Sequence, residues 1–534
     1  MSTLNNEQLQ AVKSKSDRIL CLAGAGAGKT KTMLDRISTL VQDGVQPSSI
    51  LALTFTNAAA AEMKSRYENA HTDMETPEFR TFHSFCYSII CKDQNIRNAL
   101  GYASIPMIAS DDQEKAVEEK AKTQCKITLS KEKLKNRTGL TKKEQFQCDL
   151  YDKAIDRLMS ADNIITFDKL NSRVAELFAS DNISTHIYKN KYKYIFVDEF
   201  QDTDSLQIKF LNSFIDVHLY FCGDTLQNLY SFRGTSNEYI KALANTPDWE
   251  VIKLFTNYRS TNQICEYANK FSKRYADASY RIEMKGIREG DRVITKMTEG
   301  PNKYSAISAK DIDDVIKELG NLTGTSAILC RTNKEVAAIT SYLKDRGVDY
   351  ASNKQDKYIR LVECAMSDTY MIGHLASYLS VSKYGEYIRL SSQVENPDVT
   401  WFLQTYGNNP SIASDVNIIM QLRSIAAGTE GTMAKLAQVK NLMGLNDFIP
   451  VPDKEYSGAA FLQYLKETIS NTKTSELYVG TIHSSKGLEY DNVFVMNVGS
   501  YNFKLHTEDE KNLFYVAVTR AKNRLFVYEL FDEF

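Results

Sequence analysis

The sequence lacks the features of a membrane protein or of a disulfide-stabilised secreted protein. No apolar run approaches the ~20 residues that a membrane-spanning helix requires. The segment Met1 to Gln10 is polar and contains no signal-peptide core. None of the nine cysteines forms a C-x-x-C pair, which favours buried reduced thiols over a zinc or iron–sulfur site. We therefore expect a cytoplasmic protein, of a bacterium or of a phage-infected cell.

A strong net charge is also missing. The chain has 65 Lys and Arg against 67 Asp and Glu, a formal net charge of -2. Any surface that binds nucleic acid must therefore be locally basic and offset by acidic surface elsewhere. The 43% hydrophobic and 25% charged fractions are typical of a soluble globular protein. At 534 residues the chain is too long for one core, so several domains are expected.

Short apolar runs alternate with helical patterns in the first hundred residues. Arg18 to Ala23 and Ile50 to Phe55 have the composition of buried strands, and Thr32 to Leu40 and Ala58 to Tyr67 have that of helices. This alternation predicts an α/β fold with a parallel sheet and crossover helices. Further strand-like runs are Tyr194 to Val197, His218 to Cys222, Ala327 to Cys330, Asn492 to Met496 and Leu525 to Tyr528.

Two stretches, near residues 100–165 and 350–475, interrupt this alternation and predict mainly helical insertions. The expected organisation is a first α/β domain at 1–100 and 165–250 with an insertion at 101–164, then a second at 251–350 and 475–534 with a reduced accessory insertion at 351–474.

A glycine-rich segment follows the first strand and opens a helix, which is the context of a phosphate-binding P-loop. Its residues are Ala23-Gly24-Ala25-Gly26-Ala27-Gly28-Lys29-Thr30. Glycines let the backbone N–H groups face the phosphates, and the helix N-terminus adds partial positive charge. Lys29 is expected to reach the β- and γ-phosphates of ATP, and the Thr30 hydroxyl to hold Mg²⁺. The strict pattern begins with Gly where this chain has Ala23; an ordinary glycine-rich turn is the alternative.

The acidic motif Val197-Asp198-Glu199-Phe200-Gln201-Asp202 follows the apolar strand Tyr194-Ile195-Phe196. Carboxylates at the C-terminal end of a strand beside a P-loop occupy the place of a second Mg²⁺ contact. We expect Asp198 to hold the metal, mainly through its water shell, and Glu199 to polarise the attacking water as general base. The alternative is a surface acidic patch.

Further short motifs follow in a fixed order. They are Leu4-Asn5-x-Glu7-Gln8, Thr54-Phe55-Thr56-Asn57-x-Ala59-Ala60-x-Glu62-Met63, Thr81-Phe82-His83-Ser84, Gly223-Asp224-x-x-Gln227, Tyr230-Ser231-Phe232-Arg233-Gly234, Asn257-Tyr258-Arg259-Ser260, Thr481-x-His483-x-x-Lys486-Gly487-Leu488-Glu489 and Tyr515-Val516-Ala517-Val518-Thr519-Arg520-Ala521. With the P-loop and the acidic motif, this order resembles the superfamily 1 DNA helicases of the UvrD/Rep/PcrA type, from residue 4 to residue 522 but not in the insertions.

The resemblance implies two RecA-like P-loop NTPase domains and an ATP-dependent helicase that moves 3′→5′ on single-stranded DNA. It implies that Gln8 bonds the adenine edge and that Tyr258 stacks on the adenine face. The family's arginine on the other face falls at Lys31, whose ammonium is not planar. Gly487 and Glu489 would belong to the nucleotide site, where Glu489 would contact the ribose.

The resemblance also implies that Gln227 senses the γ-phosphate and that Arg259 and Arg520 act as arginine fingers. Phosphoryl transfer spreads negative charge over the γ-oxygens, and a guanidinium neutralises it with two directed bonds. If both arginines come from the second domain, hydrolysis requires closure of an interdomain cleft. For either arginine alone, a surface salt bridge is the alternative.

Single-strand binding combines aromatic stacking with basic and hydroxyl contacts to phosphates. Phe55, Tyr230 and Phe232 are candidate stacking residues, with core packing as the alternative. Candidate phosphate or sugar contacts are Thr54, Thr56, Asn57, His83 and Arg233. A lysine cluster at Lys131, Lys133, Lys135, Lys142 and Lys143 could contact duplex DNA or form a solvated helix face.

Three functions stay open from the sequence. The first is a 3′→5′ helicase acting on single-stranded and tailed duplex DNA, alone or with a loading factor. The second is a translocase or DNA-sensing ATPase subunit that works with a separate nuclease, since no nuclease motif is recognisable here. The third is a P-loop NTPase without a DNA role. The resemblance implies that the accessory insertion regulates unwinding. Because this insertion is reduced here, the sequence supports translocation more strongly than strand separation.

Overall fold

The structure is a computed structural model. It describes residues 4–71, 75–109, 111–130, 133–134, 137, 139–180, 182–214, 216–229, 237–298, 307–350, 354–366, 375, 379, 399–443, 452, 454–471 and 476–530. The chain divides into two compact units, Met1–Val293 with Leu505–Arg524 and Ile294–Lys504 with Leu525–Glu533. Residues 251–293 and 505–524, which the sequence assigned to the second domain, thus pack with the first. The remaining domain bounds stay predictions.

The first unit is built on a parallel sheet. Its strands, numbered in chain order, are β1 (Arg18–Ala23), β2 (Ile50–Thr54), β3 (Glu78–Thr81), β4 (Met107–Ile108), β5 (Ile164–Ile165), β6 (Tyr194–Val197), β7 (His218–Gly223), β8 (Glu250–Leu254), β9 (Thr256–Asn257) and β10 (Lys285–Gly286). The order β3-β2-β6-β7-β1-β8 forms a six-stranded sheet with parallel neighbours. The strand that precedes the P-loop, β1, is therefore flanked by β7 and β8.

Crossover helices flank this sheet. The α-helices of the first unit are Asn6–Lys13, Lys29–Gln42, Asn57–Ala70, Phe82–Lys92, Gln94–Ala99, Asp111–Gln124, Lys142–Ala161, Phe167–Ala179, His186–Lys191, Ser205–Leu211, Asn237–Ala244, Asn262–Ser272 and Glu508–Val518. Helices Asp111–Gln124 and Lys142–Ala161 share a separate apolar core, which includes Val117, Leu158 and Ile164.

The second unit repeats the α/β plan. Its strands are β11 (Ile294–Met297), β12 (Ser326–Cys330), β13 (Leu477–Thr481), β14 (Tyr490–Val498) and β15 (Ala521–Glu529), in the order β11-β15-β14-β12-β13. The strand β15 belongs to this unit from Leu525 onward. Its helices are Ala309–Leu319, Asn333–Asp345, Lys354–Met366, Val399–Tyr406, Pro410–Ala427, Thr432–Met443 and Gly458–Asn471. The last five surround their own apolar core.

Two parallel α/β sheets, each with helical additions, confirm the predicted fold class of two RecA-like domains. All nine cysteines are free thiols, and most of them are buried. Among the helices of the described ranges, none combines the length and hydropathy needed to cross a bilayer.

Candidate nucleotide-binding site

The P-loop joins β1 to the helix Lys29–Gln42. Gly26 and Gly28 have φ values of 68° and 77°, the left-handed region that favours glycine. A Cβ at Gly26 would lie 2.7 Å from the Arg259 Cβ and 2.9 Å from the Asn257 Oδ1. The loop therefore needs glycine at Gly26 both for its backbone conformation and for the close approach of residues 257–259.

Gln8 is fixed against the loop from the side of helix Asn6–Lys13. It forms a capping box with Asn5, in which the Gln8 N–H donates to the Asn5 Oδ1 at 2.8 Å. Its buried side chain donates from Nε2 to the Ala27 carbonyl at 3.1 Å. This position beside the loop suits a residue that reads the base, although that role stays a prediction.

The segment that contains Tyr258 runs along the other side of the loop. The Tyr258 N–H donates to the Gly26 carbonyl at 2.9 Å, and the Asn257 Nδ2 donates to the Ala25 carbonyl at 2.7 Å. Tyr258 as a whole residue is 40% exposed, which leaves surface for stacking. Asn257 is fully buried and ties two chain segments together, a role that the sequence did not assign to it.

Lys31 makes a local contact in the structure. Its Nζ lies 2.6 Å from the Asp35 Oδ2, one turn further along its own helix, and both side chains are more than a third exposed. Such an exposed pair contributes little to stability. The predicted position of Lys31 on the second face of adenine stays a prediction.

Thr30 and Asp198 place two side-chain oxygen atoms close together. The Thr30 hydroxyl donates to the Asp198 Oδ2 at 2.7 Å. Burial and the neighbouring Glu199 carboxylate raise the pKa of Asp198 to about 6, so a cation here would stabilise its ionised form. Hydroxyl and carboxylate oxygens are the hard ligands that Mg²⁺ prefers. The residues present therefore fit the Mg²⁺ site predicted at Thr30 and Asp198.

Lys29 is half-buried and lies among carboxylates. Burial alone favours the neutral amine, but the negative charges of Glu199, Asp224 and Asp198 hold the pKa of Lys29 above its ordinary value. The ammonium is therefore charged at neutral pH, as a lysine that binds phosphate must be.

Glu199 has a strained backbone and a fixed side chain. Its φ of 51° is uncommon for a residue with a side chain. The Gln201 Nε2 donates to the Glu199 Oε2 at 2.5 Å, while the Gln201 Oε1 accepts the Asp224 N–H at 3.0 Å. A Cβ at Gly223 would lie 2.7 Å from that Oε1, so glycine is needed there for close approach. The sequence motifs contained Gln201 and Asp224, but we assigned neither a role.

The hydrogen bonds continue from Asp224 to Arg520. The Gln227 Nε2 donates to the Asp224 Oδ2 at 2.7 Å, and the Arg520 Nη2 donates to the Gln227 Oε1 at 3.2 Å. Arg520 is 2% exposed, and its Nε also donates to the Val516 carbonyl at 3.1 Å. A surface salt bridge, the alternative considered for Arg520, does not fit this burial.

Arg259 belongs to the same compact unit. Its N–H donates to the Asn257 Oδ1 at 2.8 Å, and its Nη1 donates to the Thr519 carbonyl at 3.0 Å. The structure thus brings Arg259 and Arg520 into the unit that contains Lys29. The cleft closure inferred for arginines from the second domain stays a hypothesis.

Two nucleotide-site candidates lie in the other unit. Gly487, with a φ of 87°, and Glu489 precede β14 there, and the Glu489 side chain is exposed. Their contact with a nucleotide stays a prediction.

The DNA-contact candidates are only partly described. Thr54 ends β2 with a buried hydroxyl that has no hydrogen-bond partner among the described residues. Phe55 and His83 are half-buried, and the exposed Thr56 caps the helix that begins at Asn57. Three further candidates, Tyr230, Phe232 and Arg233, lie outside the described residues.

Two family models match the chain. The UvrD/REP helicase N-terminal domain matches residues 4–248. The UvrD-like helicase C-terminal domain matches residues 252–365 and 352–530, more than half of the chain. Between them they span both compact units and every predicted motif.

Curated relatives match over nearly the whole length. A probable DNA helicase II homolog of Mycoplasma capricolum is 26% identical, in an alignment that covers 99% of this chain and 84% of the relative. The ATP-dependent DNA helicases PcrA of Staphylococcus epidermidis and Staphylococcus aureus are 25% and 24% identical, and each alignment covers 99% of this chain and 83% of the relative.

Proposed function

The chain belongs to the UvrD/Rep family of ATP-dependent DNA helicases, and from this premise we propose that it translocates 3′→5′ on single-stranded DNA and unwinds duplex. The direction is proposed by family membership. The observation that best supports ATP hydrolysis at this site is a path of hydrogen bonds. It runs from Glu199 through Gln201, Asp224 and Gln227 to Arg520. This path joins the proposed base to the proposed arginine finger.

Hydrolysis would use charges that the fold already holds in place. Lys29 would neutralise the β- and γ-phosphates, and Glu199 would accept the proton of the attacking water. Arg259 and Arg520 would balance the charge that develops on the γ-oxygens, an effect of ~10³–10⁵ in rate for one arginine finger. Thr30 and Asp198 would hold Mg²⁺, which supplies charge neutralisation to the phosphates when bound.

Base recognition would act from both sides of the loop. Gln8 would bond the adenine edge, and Tyr258 would stack on its face. Support comes from the contacts of Gln8 with the Ala27 carbonyl and of Tyr258 with the Gly26 carbonyl, which hold both residues against the P-loop.

The DNA track would begin at the end of β2. Phe55 is only half-buried, which supports a contact there, since stacking on one base contributes ~1–3 kcal/mol. A contact of DNA with Thr54, whose hydroxyl is buried, stays a prediction. A cytoplasmic location, a loading factor and a separate nuclease partner stay predictions.

A strand-separation assay on 3′-tailed and 5′-tailed duplexes, with ATP hydrolysis followed in parallel, tests the proposal. We expect unwinding of the 3′-tailed substrate and no product with Glu199→Gln, which should bind ATP but hydrolyse it poorly. Unwinding of the 5′-tailed substrate alone would refute the direction. DNA-stimulated hydrolysis without strand separation would favour the translocase or sensor subunit.

A further inference from the structure

Glu7 connects helix Asn6–Lys13 to the segment that leads into Tyr258. Its Oε1 accepts the backbone N–H groups of Phe255 at 3.1 Å and of Thr256 at 2.8 Å. Hydrogen bonds to a carboxylate are roughly twice as strong as bonds between neutral groups. Because two adjacent N–H groups donate to one carboxylate oxygen, they fix the position of residues 255–256 relative to helix Asn6–Lys13.

The same Glu7 oxygen also bonds within its own helical turn. It accepts the Asn5 Nδ2 at 3.1 Å, and Asn5 in turn caps the helix through the N–H of Gln8. A single carboxylate thus contacts the cap that orients Gln8 and the backbone that positions Tyr258.

The opposite end of the helix is held by Arg36. This buried arginine donates from Nη1 to the carbonyls of Ala11, Val12 and Ser14 at 3.0, 3.0 and 2.9 Å. These carbonyls lie at the C-terminal end of the helix, where backbone acceptors lack partners within the helix. Arg36 belongs to helix Lys29–Gln42, which begins at the P-loop lysine. The helix is therefore fixed to the P-loop helix at one end and to residues 255–256 at the other.

We propose that Glu7 is a positioning residue for base recognition, which holds Gln8 and Tyr258 at the spacing of one adenine. This inference rests on the proposed nucleotide site. The motif Leu4-Asn5-x-Glu7-Gln8 contained Glu7 but gave it no role of its own, since its backbone partner Phe255 lies 248 positions away. Its effect should appear in KM and in the choice of base rather than in kcat, because none of its hydrogen bonds is to a phosphate-site residue.

The first experiment measures KM and kcat for ATP and for GTP in Glu7→Ala, Glu7→Gln and the unmodified protein, with thermal unfolding as a check on folding. We expect Glu7→Ala to raise the KM for ATP about tenfold, to reduce the preference for ATP over GTP, and to change kcat less than about twofold. Glu7→Gln keeps an acceptor oxygen and should restore most of the preference. The matched control is Glu455→Ala, which removes a carboxylate that accepts the Thr432 N–H at 2.6 Å in the second unit.

The second experiment repeats Glu7→Ala in a Tyr258→Ala background. If Glu7 acts through Tyr258, its effect on KM should shrink to less than about twofold when the ring is absent. An equal factor in both backgrounds, with an unchanged preference for ATP over GTP, would show a merely structural role and overturn the proposal. If Tyr258→Ala alone leaves the KM for ATP unchanged, the stacking assignment itself fails and the role of Glu7 fails with it.

Discussion

Gln201→Leu is the substitution that most sharply tests the path between Glu199 and Arg520. Gln201 is fully buried and bonds both to the Glu199 carboxylate and to the Asp224 N–H. Leucine has a similar size but can neither donate nor accept. The change therefore removes both bonds while it leaves the local packing largely filled.

The stability cost follows from the Asp224 N–H, which is buried and loses its acceptor, whereas Glu199 is only half-buried. A buried unsatisfied group costs ~1–3 kcal/mol, so the free energy of unfolding of the first unit should fall by about that amount. The effect on rate should be larger than on binding, because a positioned general base contributes ~10²–10⁴. We expect kcat to fall by about 10²-fold, while the affinity for ATP changes less than about threefold.

Single-turnover hydrolysis with excess protein separates these effects, and a fluorescent ATP analogue reports binding. In a Glu199→Gln background, Gln201→Leu should slow hydrolysis little further, because both changes disable the same base. Independent, multiplying losses in the double variant would refute the positioning of Glu199 by Gln201, and so would an unchanged kcat in Gln201→Leu alone.

Further expected outcomes concern the loop, its lysine and a distant carboxylate. Lys29→Ala should abolish ATP turnover while single-strand binding, measured by fluorescence anisotropy, largely survives; full turnover would refute the site. Gly26→Ala should weaken ATP binding far more than Gly44→Ala, because both glycines have positive φ but only Gly26 has atoms within 3 Å of the new Cβ; equal effects in a binding assay would contradict the crowding argument. Burial alone would raise the pKa of Glu78, but the Tyr192 hydroxyl and nearby cations lower it to about 2. The ionised carboxylate therefore stabilises the fold above its ordinary pKa of 4.5, and this contribution is lost as pH falls towards 2. Denaturant unfolding of Glu78→Gln and of the unmodified protein should differ near neutral pH and converge at low pH.

Local chemistry explains what the sequence predicted well. Strands Arg18–Ala23 and Tyr194–Val197 have the predicted bounds, because each is a short apolar run next to a functional turn. The P-loop could be predicted from its glycines, because the positive φ that they adopt is a property of the local chain. The final strand was predicted as Leu525 to Tyr528 but spans Ala521–Glu529. Its first residues are mostly polar and lack the apolar run from which a buried strand is predicted.

Long-range packing explains what the sequence could not give. The place of Arg259 and Arg520 in the first unit depends on contacts across more than two hundred residues, which no local pattern encodes. The same holds for Glu7 and Phe255. Gln201 lay inside a recognised motif, but its bond to the Asp224 N–H depends on the neighbouring strand β7.

The rate of ATP hydrolysis with and without single-stranded DNA, in the unmodified protein and in Arg520→Lys, tests the central claim most directly. We expect that DNA accelerates hydrolysis and that Arg520→Lys loses about 10³-fold or more of the accelerated rate, because an ammonium cannot reproduce the directed bonds of a guanidinium. Hydrolysis that is indifferent to DNA, or an accelerated rate that survives Arg520→Lys, would contradict that claim.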